Sequence, residues 1–311
     1  MVIGCIIQIK INGMENRQPL LSICIPTYNR AEYLVGALEN ITSDPAFDER
    51  VEIVISDNAS TDDTKDVVGN FIKLYSNIYY YKNLENIRDQ NFILALSRGR
   101  GKYLRLFNDT LRLKHGVLQT MLDIIIKTPE TESIFFMQNI HFNGNMERVC
   151  EIKGTNELLS EVSYYITWIA NFGCWNSEIS KINNPNNYAS LQLTQVDWLL
   201  QLVQNNKSII HFGDFFYSVV PSKKGGYNIF QVFVENYLSI LRQHKVGFGC
   251  YQIEKYRLFR YFILPWLSRI SNTKKYTFLS NNKWSILFKN YFWYPYFYLG
   301  MLVYGIKKYI K

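Results

Sequence analysis

The chain is poor in the residues that make unusual folds. Seventeen glycines and eight prolines in 311 residues are too few, and a hydrophobic share of 48% too high, for a fibrous, collagenous or wholly disordered protein. Five cysteines, an odd number with no CxxC spacing, supply neither a disulfide framework nor a zinc site, so a reducing compartment is expected. Long apolar runs are also missing. The longest uncharged apolar stretch, 291–306, has 16 residues and is broken by Pro295, whereas a helical span needs about 20. Residues 1–9 are apolar but lack a basic segment and a small-residue cleavage site, so they match a secretion signal poorly. Residues 1–18 are expected to be an N-terminal extension, with Met14 an alternative start.

Acid is scarcest toward the C-terminus. From Arg242 onward, Glu254 is the single acid against 13 Lys and Arg, a net charge of +12, while residues 1–241 carry 25 acidic and 21 basic residues, a net of −4. The basicity is regional. Phe259, Phe262, Trp266, Trp284, Phe292 and Trp293 interleave with Lys255, Arg257, Arg260, Arg269, Lys283 and Lys289. A helical segment of that kind, too short to span, fits a helix lying in a membrane interface against anionic lipid. The same composition also fits phosphate contacts and stacking on a nucleic acid, or a packed helical subdomain with solvated lysines.

What is present from residue 20 to 107 is alternation. Apolar runs at 21–25, 51–55, 78–81 and 103–107 read as buried strands. Leu34, Leu38 and Ile41 form one helical face, Val67, Phe71 and Leu74 another, and a helix is expected near 91–97. Strand–helix–strand repetition with short loops predicts an α/β fold with a parallel, doubly wound sheet. Farther on, helices are expected near 116–127, 156–170 and 195–204, strands near 133–142 and 208–220, and a helical, aromatic pattern from Phe230. The expected organisation is one domain over 19–241 and a helical basic region over 242–311.

In an open parallel sheet, ligands bind beyond the carboxyl ends of the strands. Three polar tips qualify: Pro26-Thr27-Tyr28-Asn29-Arg30, Ser56-Asp57-Asn58 through Asp63, and Asn108-Asp109-Thr110. They should converge on one rim. No glycine-rich loop follows the first strand, which argues against a dinucleotide fingerprint and a P-loop. Thr27 and Tyr28 suit hydrogen bonding and stacking on a base, and Asp57 suits a base imide or ribose hydroxyl. Asp57 also reads as a turn residue, Thr61-Asp62 as a helix cap, and Arg30 as either a phosphate contact or a solvated helix start.

Ser22 to Arg30, Val54 to Thr64 and Asn83 to Phe92, in that order and spacing, resemble family 2 glycosyltransferases of the GT-A fold. The resemblance covers about residues 20–120 and continues more weakly to about 240. It looks closest to the bacterial O-antigen and capsule branch, abequosyltransferase-like enzymes included. It implies a Rossmann-like, mostly parallel sheet flanked by helices, with the basic helical region appended. It implies a nucleotide-sugar donor held by Pro26, Thr27, Tyr28, Arg30, Asp57, Asn58, Arg88, Asn108 and Asp109, with Mg²⁺ or Mn²⁺ on the diphosphate at Asp109. It also implies an acceptor on a polyprenyl diphosphate at the cytoplasmic face of a bacterial plasma membrane. Asp197 stands at the position of the base for inverting single displacement. Lys223 and Lys224 stand in a polar loop suited to close on the diphosphate, a solvated turn being the plain alternative, and Trp198 reads as core. Two departures stand out. Relatives end the fourth strand in Gly-Asp-Asp-Asp where this chain has Asn108-Asp109-Thr110-Leu111, which weakens the ion site, and they keep Gly where it has Arg88. A catalytically silent nucleotide-sugar binder is therefore a rival reading, and a nucleic-acid-binding protein using the tail a more distant one.

Overall fold

The computed structural model describes residues 18–138, 147–205, 207–219, 224–270 and 276–309. Strands β1 (Leu21–Thr27), β2 (Val51–Asp57), β3 (Ile78–Lys82) and β4 (Tyr103–Leu106) alternate with helices α1 (Ala31–Thr42), α2 (Thr64–Leu74) and α3 (Gln90–Ser97). The strands read as continuous apolar runs because both faces of the sheet are covered. Ile23 and Ile25 pack toward α1, whose Leu34, Leu38 and Ile41 are buried in the same cluster, while Cys24 points to the opposite cluster with Ala95 and Leu96 of α3. Of the expected face of α2, Val67 and Phe71 pack half-buried against the core beside buried Thr64 and Val68, whereas Leu74 is 75% exposed.

After β4 come β5 (Leu111–Leu113), α4 (Val117–Lys127), β6 (Ser133–Gln138), β7 (Arg148–Ile152), α5 (Thr155–Val162) and β8 (Gly173–Trp175). The central sheet has the order β3-β2-β1-β4-β8, parallel except for β8, which runs antiparallel to β4. Strand order thus reverses between β1 and β4, which places the ligand crevice at their carboxyl ends. The helix expected over 156–170 stops at α5, because Ser163 adopts φ +56° and its hydroxyl donates to buried Glu254 at 2.7 Å; two 3-10 turns follow. Of the strand expected over 133–142, residues 139–142 lie outside the described residues.

The chain continues through α6 (Thr194–Asn205), β9 (Ser208–Gly213), β10 (Phe216–Ser218), β11 (Lys224–Asn228), α7 (Tyr237–Gln243), α8 (Phe248–Arg257), α9 (Leu264–Arg269), β12 (Tyr276–Leu279), α10 (Lys283–Tyr291) and α11 (Pro295–Tyr309). π-helical turns precede α7 and α9. The sheet β6-β9-β7 extends the α/β core, β10 pairs with β5 across the rim, and β11 pairs with β12. The C-terminal helices share an apolar cluster with the central sheet, through Leu258, Phe259, Ile263, Leu287, Tyr291 and Phe297. No helix among the described residues is long and apolar enough to cross a membrane.

Candidate active site

Strand register brings the three polar tips together. Thr27 stands opposite Asp57 in the β1–β2 ladder, and Asn58 N–H donates to Thr27 O at 2.9 Å. From the other side of the crevice, the Asp109 carboxylate accepts the Thr27 hydroxyl at 3.0 Å and Arg30 Nη1 at 3.3 Å. Asp109 is 3% exposed; burial pushes its carboxyl above the usual range, with Arg30 and the Thr27 hydroxyl pulling it back. Tyr28 lies open at 44% exposure, with Pro26 half-buried behind it.

Asp57 is fully buried, and its carboxylate accepts Ser60 N–H at 2.8 Å and Tyr80 O–H at 2.5 Å. Burial first, then Asp57, pushes the Tyr80 phenol far up. The turn reading of Asp57 thus describes its local bonds, and Tyr80 joins it at the rim. Three consecutive tyrosines, 79 to 81, hid which of them faces Asp57. Asp62 takes the capping role, accepting Thr64 N–H and O–H, and it also accepts Ala31 N–H at the start of α1. Burial opposes ionisation there, yet these hydrogen bonds hold its carboxyl below the usual range.

The loop ahead of α3 is fixed by a network of amides. Asn58 accepts Ile87 N–H and donates to Asn86 Oδ1 and Arg88 O, while Asn91 accepts from Ser56 and Asn83. Arg88 is exposed and sits at φ +52°, the left-handed region where a glycine would meet no steric cost. Asn29 and Ala59 on the same rim are left-handed as well. Asp89 was not among the expected site residues. Burial pushes its carboxyl up to about 6, with Arg88 pulling down. Tyr227 of β11 feels both charges of this corner: burial pushes its phenol up to about 12, Arg30 lowers it and Asp89 raises it. That brings β11 beside the rim. Lys223 lies outside the described residues, and of Lys224 only the backbone is described.

Asp197, in the first turn of α6, is 2% exposed, and its bonds are to His244 Nε2 at 2.8 Å and Gln201 Nε2 at 2.9 Å rather than to the rim. Trp198 is core, its ring against Phe172 and its indole N–H on Pro185 O. Among the described residues, buried oxygens without a partner occur at Asn108, Thr194, Gln195 and Tyr296.

A divalent cation on a diphosphate is held by one or two protein carboxylates together with the phosphate oxygens. Asp109 already holds a hydroxyl and a guanidinium, its neighbours Asn108 and Thr110 are neutral, and no three His, Cys, Asp or Glu side chains among the described residues group to hold an ion. The carboxylate of this tip is already engaged by a guanidinium, and that pairing does not fit a resident divalent metal.

Residues 22–161 match the family model described as glycosyl transferase family 2. Among curated proteins, the chain is 40% identical over 109 residues to an abequosyltransferase of Salmonella typhimurium, covering 33% of each chain. It is 33% identical over 106 residues to a GalNAc(5)-diNAcBac-PP-undecaprenol beta-1,3-glucosyltransferase of Campylobacter jejuni, covering 33% of this chain and 34% of the relative. Each match thus spans about a third of the relative's length. Among solved structures, S. aureus TarS 1-349 in complex with UDP superposes with a TM-score of 0.51 at 16% identity, over 75% of this chain and 64% of that one. That likeness speaks to the fold.

Proposed function

We propose that this chain, which carries a family 2 glycosyltransferase domain over residues 22–161, transfers a sugar from a nucleotide-diphospho-sugar to a lipid-linked saccharide of a bacterial surface polysaccharide. The observation that carries the reading is the meeting of Thr27, Asp57 and Asp109 at the β1/β4 switch point. Around it, Tyr28 offers an open ring to a base, while Arg30, Asn58, Arg88 and Asn108 line the approach of ribose and diphosphate. The acceptor class is supported by the Campylobacter relative, whose name specifies an undecaprenol-linked saccharide.

The transfer is a single displacement. The acceptor hydroxyl oxygen bonds to the anomeric carbon as the bond from that carbon to the diphosphate breaks, and the electron pair stays on the departing oxygen. The hydroxyl proton passes to the carboxylate of Asp197, held in orientation by His244 and Gln201, and the configuration inverts. Leaving-group charge is met by arginine side chains.

The acceptor's lipid would be met at the cytoplasmic face of the plasma membrane. On α11, Phe297 is buried and Gly300 lies so close to Phe259 that a Cβ would approach a ring carbon to 2.6 Å. The opposite face leaves Leu299, Leu302 and Val303 exposed at 65%, 63% and 50%, and Trp293 just before the helix is 85% exposed. With +12 on the segment from Arg242, an apolar face of this kind fits an anionic bilayer surface.

The test is incubation of the pure protein with a panel of nucleotide sugars and polyprenyl-diphosphate acceptors, reading transfer and donor hydrolysis. No turnover with any donor, while nucleotide binding persists, would establish instead the silent binder that the eroded Asn108-Asp109-Thr110 tip favours.

A further inference from the structure

The geometry points to Arg30, held in place by Asp109, as the built-in cation of the donor site, binding the diphosphate in place of a divalent metal ion. This rests on the nucleotide-sugar reading above and deepens it.

Asp109 is enclosed, and its two carboxylate oxygens face the Thr27 hydroxyl and the Arg30 guanidinium. A divalent ion bound there would sit beside a guanidinium that does not lose its proton. Arg30 is differently placed. Its side chain is 45% exposed against 4% for Asp109, and among the described residues its guanidinium has one acceptor, Asp109. Of the five N–H donors in the fork, most are thus left for a ligand arriving from the crevice, and that fork matches two phosphate oxygens at once. Asp109 is a positioning residue: it aims Arg30 from below.

The charge balance calls for one more group. Arg30 and Asp109 together are neutral, whereas an ion on one carboxylate would leave a net positive charge. Arg88 supplies that charge. It stands exposed at φ +52° on a loop pinned to the rim, with Asn58 donating to its own carbonyl oxygen. Asn83 and Asn91 brace the same network. A glycine would take this backbone without strain, so the arginine brings its charge at a conformational cost.

Titration calorimetry of the full chain with UDP, GDP, CDP and dTDP, once in EDTA and once in Mn²⁺, tests the assignment. The expected result is that one of these diphosphates binds with the same affinity in both buffers, within about threefold. R30A should weaken that diphosphate by about tenfold, the worth of one charge-assisted contact, and leave the corresponding nucleoside unchanged. R30K should recover part of the loss, and D109N, which frees Arg30 from its anchor, should weaken the diphosphate less than R30A does. Binding that appears only with Mn²⁺, or an R30A protein that binds as tightly as the parent, overturns the inference and leaves the nucleotide-sugar reading standing. If no nucleoside diphosphate binds in either buffer, that reading fails and the role of Arg30 falls with it. Should R30A not fold, R30K and D109N in the two buffers decide the same question.

Discussion

The rim of the central sheet and the C-terminal helices handle polarity in opposite ways. At the rim, Asp57, Asn58 and Asn91 are all but fully buried, and each is bonded to groups on neighbouring loops. Such a satisfied network fixes positions to within the tolerance a small polar ligand needs. In the helices, polarity is trapped singly among rings. Glu254 lies inside, accepting from Ser163 and Tyr237, while the next residue, Lys255, donates to Asn290 O with its ammonium 4.1 Å from the centre of the Tyr294 ring. Lys255, one of the basic residues read from the sequence as a surface charge, is 6% exposed. Outside, the same helices leave Phe248, Trp293, Leu299 and Leu302 bare. The contrast is between a rim whose polar groups are mutually bonded and helices that leave apolar side chains exposed.

Asp197 of α6 meets His244, just past α7, away from the rim bonds, and the largest expected effect lies there. Asp197→Asn should lower turnover by about 10² to 10⁴, the range for a lost general base, while donor affinity, read by calorimetry, stays within about twofold. A change in affinity with turnover intact would make the pair a tether between regions rather than a chemical group. Next in size is the buried acid of the helices. Burial pushes Glu254 up to about 7, against hydrogen bonds from Ser163 and Tyr237 that lower it. The folded state therefore binds this proton more tightly than the unfolded chain does, so its contribution is complete below about pH 4.5 and is lost as pH rises through about 7. Denaturant unfolding at a series of pH values should show this loss, about 3 kcal/mol in all, and Glu254→Gln should flatten it. The rim is not expected to share that slope at Asp62, whose carboxyl lies below the usual range.

How far the sequence revealed these regions follows from their physics. The four parallel strands were legible because burial on both faces demands unbroken apolar runs, and the convergence of Thr27, Asp57 and Asp109 followed from where those runs stop. Partners set by tertiary contact were not legible. Nothing local shows that Tyr80 faces Asp57, that His244 meets Asp197 across 47 residues, or that Ser163 breaks a helix to reach Glu254. The tail misled for a related reason: Phe259 is core at 1% exposure and Trp293 is bare at 85%, yet both read as aromatic residues in a basic segment.

The apolar face of α11 gives the next test of the contrast. Leu299→Ser with Leu302→Ser should lower co-sedimentation with phosphatidylglycerol vesicles by about tenfold, the worth of part of two side chains withdrawn from lipid. Thermal stability should stay within about 0.5 kcal/mol, because both residues are exposed. Equal losses toward neutral vesicles would leave the basic residues without a role, and tight, salt-sensitive binding to oligonucleotides instead would move the face to a different partner.

The smallest effect separates strain from function at Arg88. Arg88→Gly relieves a left-handed residue but adds freedom to the unfolded chain, so the net gain is about 0.5 kcal/mol, read as a small rise in the denaturation midpoint. Arg88→Ala removes the charge and keeps the strain, so it should gain no stability. If Arg88 shares the diphosphate with Arg30, both variants lose affinity for the nucleoside diphosphate by the same few-fold factor, whatever they do to the fold. If affinity stays constant while only the glycine variant becomes more stable, Arg88 is a loop residue, the rim is held together for reasons of folding alone, and the sheet and the helices differ less than their hydrogen bonds imply.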